Sequence, residues 1–109
     1  MNQTQDVAPI YSQLASDPDL GELVDLFVSE IPDRVSALRT ALLDHDGDRL
    51  GRLAHQLKGA AGSYGFPQLT SPLKSLELVA REPRPIFEIV AALEAVERLT
   101  RRVRAGVPE

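Results

Sequence analysis

The 109-residue chain carries two imidazoles, His45 and His55, and no thiol. His45 lies in Asp44-His45-Asp46-Gly47, an ordinary surface setting in which neighbouring carboxylates and the negative end of a helix dipole favour a cation. His55 stands in different company. Gly51 precedes it by four residues, Gly59 and Gly62 follow it by four and seven, and Lys58 follows it by three. A glycine inside a helix costs about 0.8–1 kcal/mol relative to alanine, so three around one histidine need a reason. A neutral imidazole, with an ordinary pKa near 6.5, presents an unprotonated nitrogen that attacks a phosphoryl group without a separate base. Glycines beside it would let another protein's active site press against the helix, and the Lys58 ammonium would neutralise a phosphoryl group carried on the ring. Two plainer readings compete: a merely solvated histidine, and glycines kept for close helix–helix packing.

The positions of these residues depend on the elements that hold them. Apolar residues recur at three- and four-residue steps, so the chain reads as helices. A polar, flexible tail is expected at residues 1–8 and a short helical turn at Pro9 to Ala15. The first long helix starts near Ser16-Asp17-Pro18-Asp19 and carries Leu20, Leu23, Val24, Phe27, Ile31, Val35, Leu38 and Leu42 to an end near His45. Pro32 removes an N–H and crowds the carbonyl four residues earlier, which predicts a bend or split around Ser29 to Asp33. Asp46-Gly47-Asp48 supplies a turn and a cap. The second helix then runs with Leu50, Leu53, Leu57, Ala61 and Tyr64 inward and is closed by Gly65. Leu69, Leu73, Leu76 and Ala80 make a third stripe after Phe66-Pro67, and Ile86 to Val103 a fourth after the break at Arg81-Glu82-Pro83-Arg84-Pro85. No segment reads as a strand. Four amphipathic helices with short connections predict an all-α, antiparallel, up-down-up-down four-helix bundle, forming a single domain over residues 9–109.

On a helical wheel at ~100° per residue, the inward stripe of the second helix centres near ~340° and His55 falls near ~140°, on the outward face with Gly51, Gly59 and Gly62. Glu77 is a geometric partner for the ring. His55 lies ten residues before Gly65 and Glu77 twelve after it, or roughly 15 and 18 Å from the turn at ~1.5 Å per residue. A carboxylate there could accept a hydrogen bond from Nδ1–H and leave Nε2 as the nucleophile. The competing reading pairs Glu77 with Arg81, four residues on.

The run Ala54-His55-Gln56-Leu57-Lys58-Gly59-Ala60-Ala61-Gly62-Ser63-Tyr64-Gly65 resembles the signature of histidine-containing phosphotransfer (HPt) domains of two-component phosphorelays. Glu22-Leu23-Val24-Asp25-Leu26-Phe27 with Pro32, and Leu76-Glu77-Leu78-Val79-Ala80-Arg81, are similar to the family's flanking text, and the resemblance covers about residues 9–104. It implies that His55 is phosphorylated at Nε2, that Lys58 supports the phosphate, and that Gly59 admits a receiver domain. Gly51, Arg52, Gln56 and Gly62 complete the expected docking face. At the position of Glu77 many relay members carry Gln, and chemotaxis kinases carry Glu. The implied partners are receiver domains and a separate or hybrid histidine kinase, with Mg²⁺ on the receiver and no cofactor on this chain.

Composition excludes competing classes. The sequence has 12 Lys+Arg against 16 Asp+Glu, for a net charge of −4, which gives no general attraction to nucleic acid or an anionic bilayer. No apolar run approaches the ~18 residues of a membrane span, and the opening MNQTQDVAPI has no secretory pattern, so a cytoplasmic monomer is expected. No Gly-rich phosphate loop or carboxylate metal cluster is present, so the chain reads as a phosphoryl carrier and not as a kinase. The alternatives are a module that docks receivers without being phosphorylated, and a histidine kinase dimerisation domain. The latter resembles His-Glu followed within a few residues by Pro, whereas here Gln56 follows His55 and the next proline is Pro67.

Overall fold

Helix α1, Gly21–Leu43, is prepared by Asp17, whose side chain accepts hydrogen bonds from the backbone N–H groups of Asp19 and Leu20 at 2.7 and 3.0 Å. The computed structural model describes residues 8–108. Of the expected tail at residues 1–8, only Ala8 falls within that range, and its carbonyl accepts a hydrogen bond from Arg102. α1 runs through Pro32 as one continuous helix, so the chain is not split there. Pro32 lies on the exposed side of the helix, while Ile31 beside it is buried, so packing holds the helix on both sides of the missing N–H.

Asp44–Asp46 reverse the chain, with His45 at φ 55°, and the Asp46 carboxylate caps α2 (Gly47–Ser63) by accepting from Arg49 N–H at 3.1 Å. At the far end of α2 the chain turns at Gly65, φ 84°. A Cβ there would stand 2.5 Å from the Ser12 hydroxyl, so both the dihedral and the close approach require glycine. A 3₁₀ turn, Pro67–Leu69, leads into α3 (Thr70–Ala80), and the Arg81–Pro85 connection into α4 (Ile86–Thr100). Each helix packs on its sequence neighbours, and α1 also packs on α4, which closes the four-helix bundle.

The core is mainly aliphatic: Val24, Ile31, Leu38, Leu50, Leu57, Leu73, Leu76, Leu93 and Val96 are buried, together with Phe27 and Phe66. At the Gly65 end, Phe27 stacks on Tyr64 with ring centroids 5.1 Å apart and lies 5.9 Å from Phe66. Arg39 of α1 and Glu97 of α4 make a two-pronged ion pair across the bundle, with Nε 3.0 Å from the carboxylate, and this contact raises the Arg39 pKa.

Two expectations at the chain's ends need revision. Pro9–Ala15 is no continuous helical turn: Ile10 forms a parallel β-bridge with Val103, and only Gln13–Ser16 adopt turns. The fourth helix stops at Thr100, short of Val103. The Thr100 hydroxyl donates to the carbonyl of Val96 at 2.8 Å, and Val103 leaves the helix for the bridge. Backbone hydrogen bonds from Ile10 N–H to the Arg102 carbonyl (2.7 Å) and from Arg104 N–H to the Ile10 carbonyl (2.9 Å) fasten the two segments together.

Candidate functional site

α2 and α3 run antiparallel from the Gly65 turn, which brings His55 in mid-α2 level with Glu77 near the end of α3. His55 Nδ1 lies 3.0 Å from Glu77 Oε2. A carboxylate can only accept, so Nδ1 is the donor in this contact, and in the neutral ring Nε2 is then the nitrogen with the free lone pair. The imidazole side chain is 62% exposed, and Nε2 makes no hydrogen bond among the described residues. Glu77, by contrast, is only 14% exposed.

Lys58 Nζ donates to Glu77 Oε1 at 3.0 Å. Arg81 Nη1 approaches Oε2 at 3.5 Å, so the two readings of Glu77, as partner of His55 and as partner of Arg81, hold together. The Lys58 hydrogen bond is the chief cause of a Glu77 pKa below the ordinary carboxylate range. Burial opposes this shift, and the His55 contact adds to it. The carboxylate is therefore ionised at neutral pH and acts as an acceptor.

The glycines divide. Gly59 and Gly62 are exposed, and a Cβ on either would have no heavy atom within 4 Å beyond the immediate helix backbone, so the surface beside the ring is open on that side. Gly51, predicted to lie on the same docking face, is buried instead. A Cβ on it would meet Arg81 Nε at 2.5 Å and Cγ at 2.8 Å. It is a packing glycine, covered by the stem of an arginine from the end of α3. Arg52 is exposed and takes part in no ion pair among the described residues. Gln56 is exposed on the other flank of His55, where it lines an open groove of ≈ 350 Å³ with Asp33, Arg34, Ala37, Leu53 and Leu57, between α1 and α2.

Sequence spacing thus found His55, Lys58 and Glu77, and it missed the way Arg81 lies over Gly51. The available signal was the four-residue step from Glu77 to Arg81, which was read as a substitute for the His55 contact when it accompanies it. Among the described residues no three or more His, Cys, Asp or Glu gather as a metal-binding set, and no helix is long and apolar enough to cross a membrane.

A family model described as the Hpt domain matches residues 22–106. No curated protein and no solved structure matches the chain. The matched span covers most of the sequence and includes every residue of the His55 cluster, so the chain belongs to the Hpt domain family, whose members carry phosphoryl groups in two-component phosphorelays.

Proposed function

We propose that His55 Nε2 accepts a phosphoryl group from a receiver-domain aspartate, or from a separate or hybrid histidine kinase, and yields it to a receiver aspartate. With an aspartyl phosphate as donor, the Nε2 lone pair forms the N–P bond while the P–O bond to the aspartate breaks, and that electron pair stays on the departing carboxylate. The Nδ1 proton is retained, so the ring becomes a cation as the bond forms. Glu77 serves both stages: it selects the tautomer that attacks, then stabilises the imidazolium that results. In this reading Lys58 compensates phosphoryl oxygens, and Gly59 and Gly62, where a Cβ would meet open space, leave room for the partner's backbone. Arg52 and Gln56 extend the docking face, and Mg²⁺ is assigned to the receiver.

The observation that carries this reading is the Nδ1–Glu77 contact on a ring that is otherwise open to solvent. A histidine kept only as a docking contact has no need of a half-buried carboxylate that fixes its tautomer. Incubation with a phosphorylated receiver should place acid-labile label on the wild type and none on His55→Gln. An unlabelled wild type, beside a donor shown to be competent on another acceptor, would leave the non-phosphorylated docking module as the better reading.

A further inference from the structure

We propose, resting on the reading of His55 as the phosphorylated residue, that Arg81 is a positioning residue of this site and that Gly51 is its seat. Glu77 offers two oxygens to two hydrogen-bond partners and one further cation: Oε1 takes Lys58 Nζ at 3.0 Å, while Oε2 faces His55 Nδ1 at 3.0 Å and the Arg81 guanidinium as an ion pair at 3.5 Å. Lys58 and Arg81 thus hold the carboxylate by its two ends, and the oxygen facing the imidazole is the one that Arg81 steadies.

An arginine four residues after a glutamate on an exposed helix face is ordinarily a weak, mobile partner. Here its stem lies over Gly51, while the side chain as a whole is 46% exposed. The hypothetical Gly51 Cβ would stand 2.5, 2.8 and 3.0 Å from Arg81 Nε, Cγ and Cδ, so the side chain lies flat across α2, one turn before His55. Any residue larger than glycine at position 51 would lift the guanidinium off this path.

The arrangement also sets the local charge. Lys58 and Arg81 contribute two positive charges against the one negative charge of Glu77, so the cluster around the neutral ring carries a net single positive charge. That surplus suits a site where a phosphoryl dianion must arrive, whereas Glu77 alone would repel it.

Four proteins test the inference: wild type, Arg81→Gln, Gly51→Ala and the double variant. ¹⁵N spectra of the unphosphorylated imidazole, recorded at about pH 8 where a histidine of ordinary pKa is neutral, report the His55 tautomer without any phosphotransfer. Arg81→Gln and Gly51→Ala should each lower the Nδ1–H fraction and slow phosphoryl acceptance by about two- to fivefold. The double variant should be no slower than the slower single one, since both act through the same contact. Arg81→Gln alters an exposed side chain and should keep the wild-type circular dichroism, so it decides the matter even if Gly51→Ala unfolds. Unchanged tautomer populations in Arg81→Gln, or slowing that adds fully in the double variant, would overturn the assignment. If the wild type itself takes no label, the carrier reading falls, and the tautomer comparison alone decides whether Arg81 positions Glu77.

Discussion

Glu77 is the residue on which the site's chemistry turns, and its environment has a consequence for stability. Its pKa in the folded chain lies below the ordinary value of 4.5, chiefly because of the Lys58 hydrogen bond. A carboxyl group whose pKa is depressed by folding contributes stability that is fully present above the unfolded value and is lost as pH falls through the folded one. Wild type should therefore be more resistant to urea than Glu77→Gln at neutral pH, and the gap should narrow as the pH drops below about 4.5. Urea midpoints measured on both proteins down the acid limb check this; a gap that stays constant with pH would mean that the charge of Glu77 does not stabilise the fold. The pairing of Glu77 with His55 was legible before the structure because a turn at Gly65 and a constant rise per residue fix which residues stand level. Its simultaneous ion pair with Arg81 was not, because counting residues cannot say that one oxygen can face both a hydrogen-bond partner and a second cation.

At the scale of the helix, α2 presents two different kinds of glycine, and they should respond oppositely to added side chains. Gly59→Ala should stabilise the protein by about 0.5–1 kcal/mol in urea unfolding, because an exposed helix interior gains from losing glycine's backbone freedom. Gly59→Leu should fold as well as wild type by circular dichroism yet accept phosphate more slowly, since its side chain stands where a receiver must approach. Equal transfer rates in Gly59→Leu and wild type would remove this face from the docking surface. The stripes of all four helices were readable from apolar spacing. The inward direction of α2 was read too far to one side because it was judged from its large residues, Leu53 and Tyr64 included. Both are only half-buried, while Gly51 and Ala54, which lie outside that stripe, are buried beside Ala61. Small residues let helices approach closely, so they mark a tight interface that hydrophobicity alone ranks low. The unbroken passage through Pro32 has the same kind of origin: the local cost was visible in the sequence, while the packing around Ile31 that outweighs it was not.

For the molecule as a whole, the four helices close on one another and bury one apolar face each. Of the exposed apolar side chains, Leu23, Leu26 and Leu43 lie on α1, Leu78 on α3, and Ile86 and Phe87 on α4, while Leu38, Leu50, Leu57, Leu73, Leu76 and Leu93 meet inside. A kinase dimerisation domain forms its bundle from helical hairpins of two chains, and this chain completes one alone. Sedimentation should accordingly give a single species of about 11.9 kDa, unchanged across micromolar concentrations; a stable species of twice that mass would revive the dimerisation reading. The fold class was legible at this scale because connections of a few residues permit little besides antiparallel neighbours. The junction of Ile10 with Val103 was hidden, since a bridge of one residue pair has no periodicity to read. It gives the bundle a property of modular architecture. Where the chain comes in, beside Ile10, it also goes out, beside Arg104. A bundle threaded in this way can be spliced into the connection between two other domains without prying them apart, which makes it readily transplantable from one multidomain protein to another.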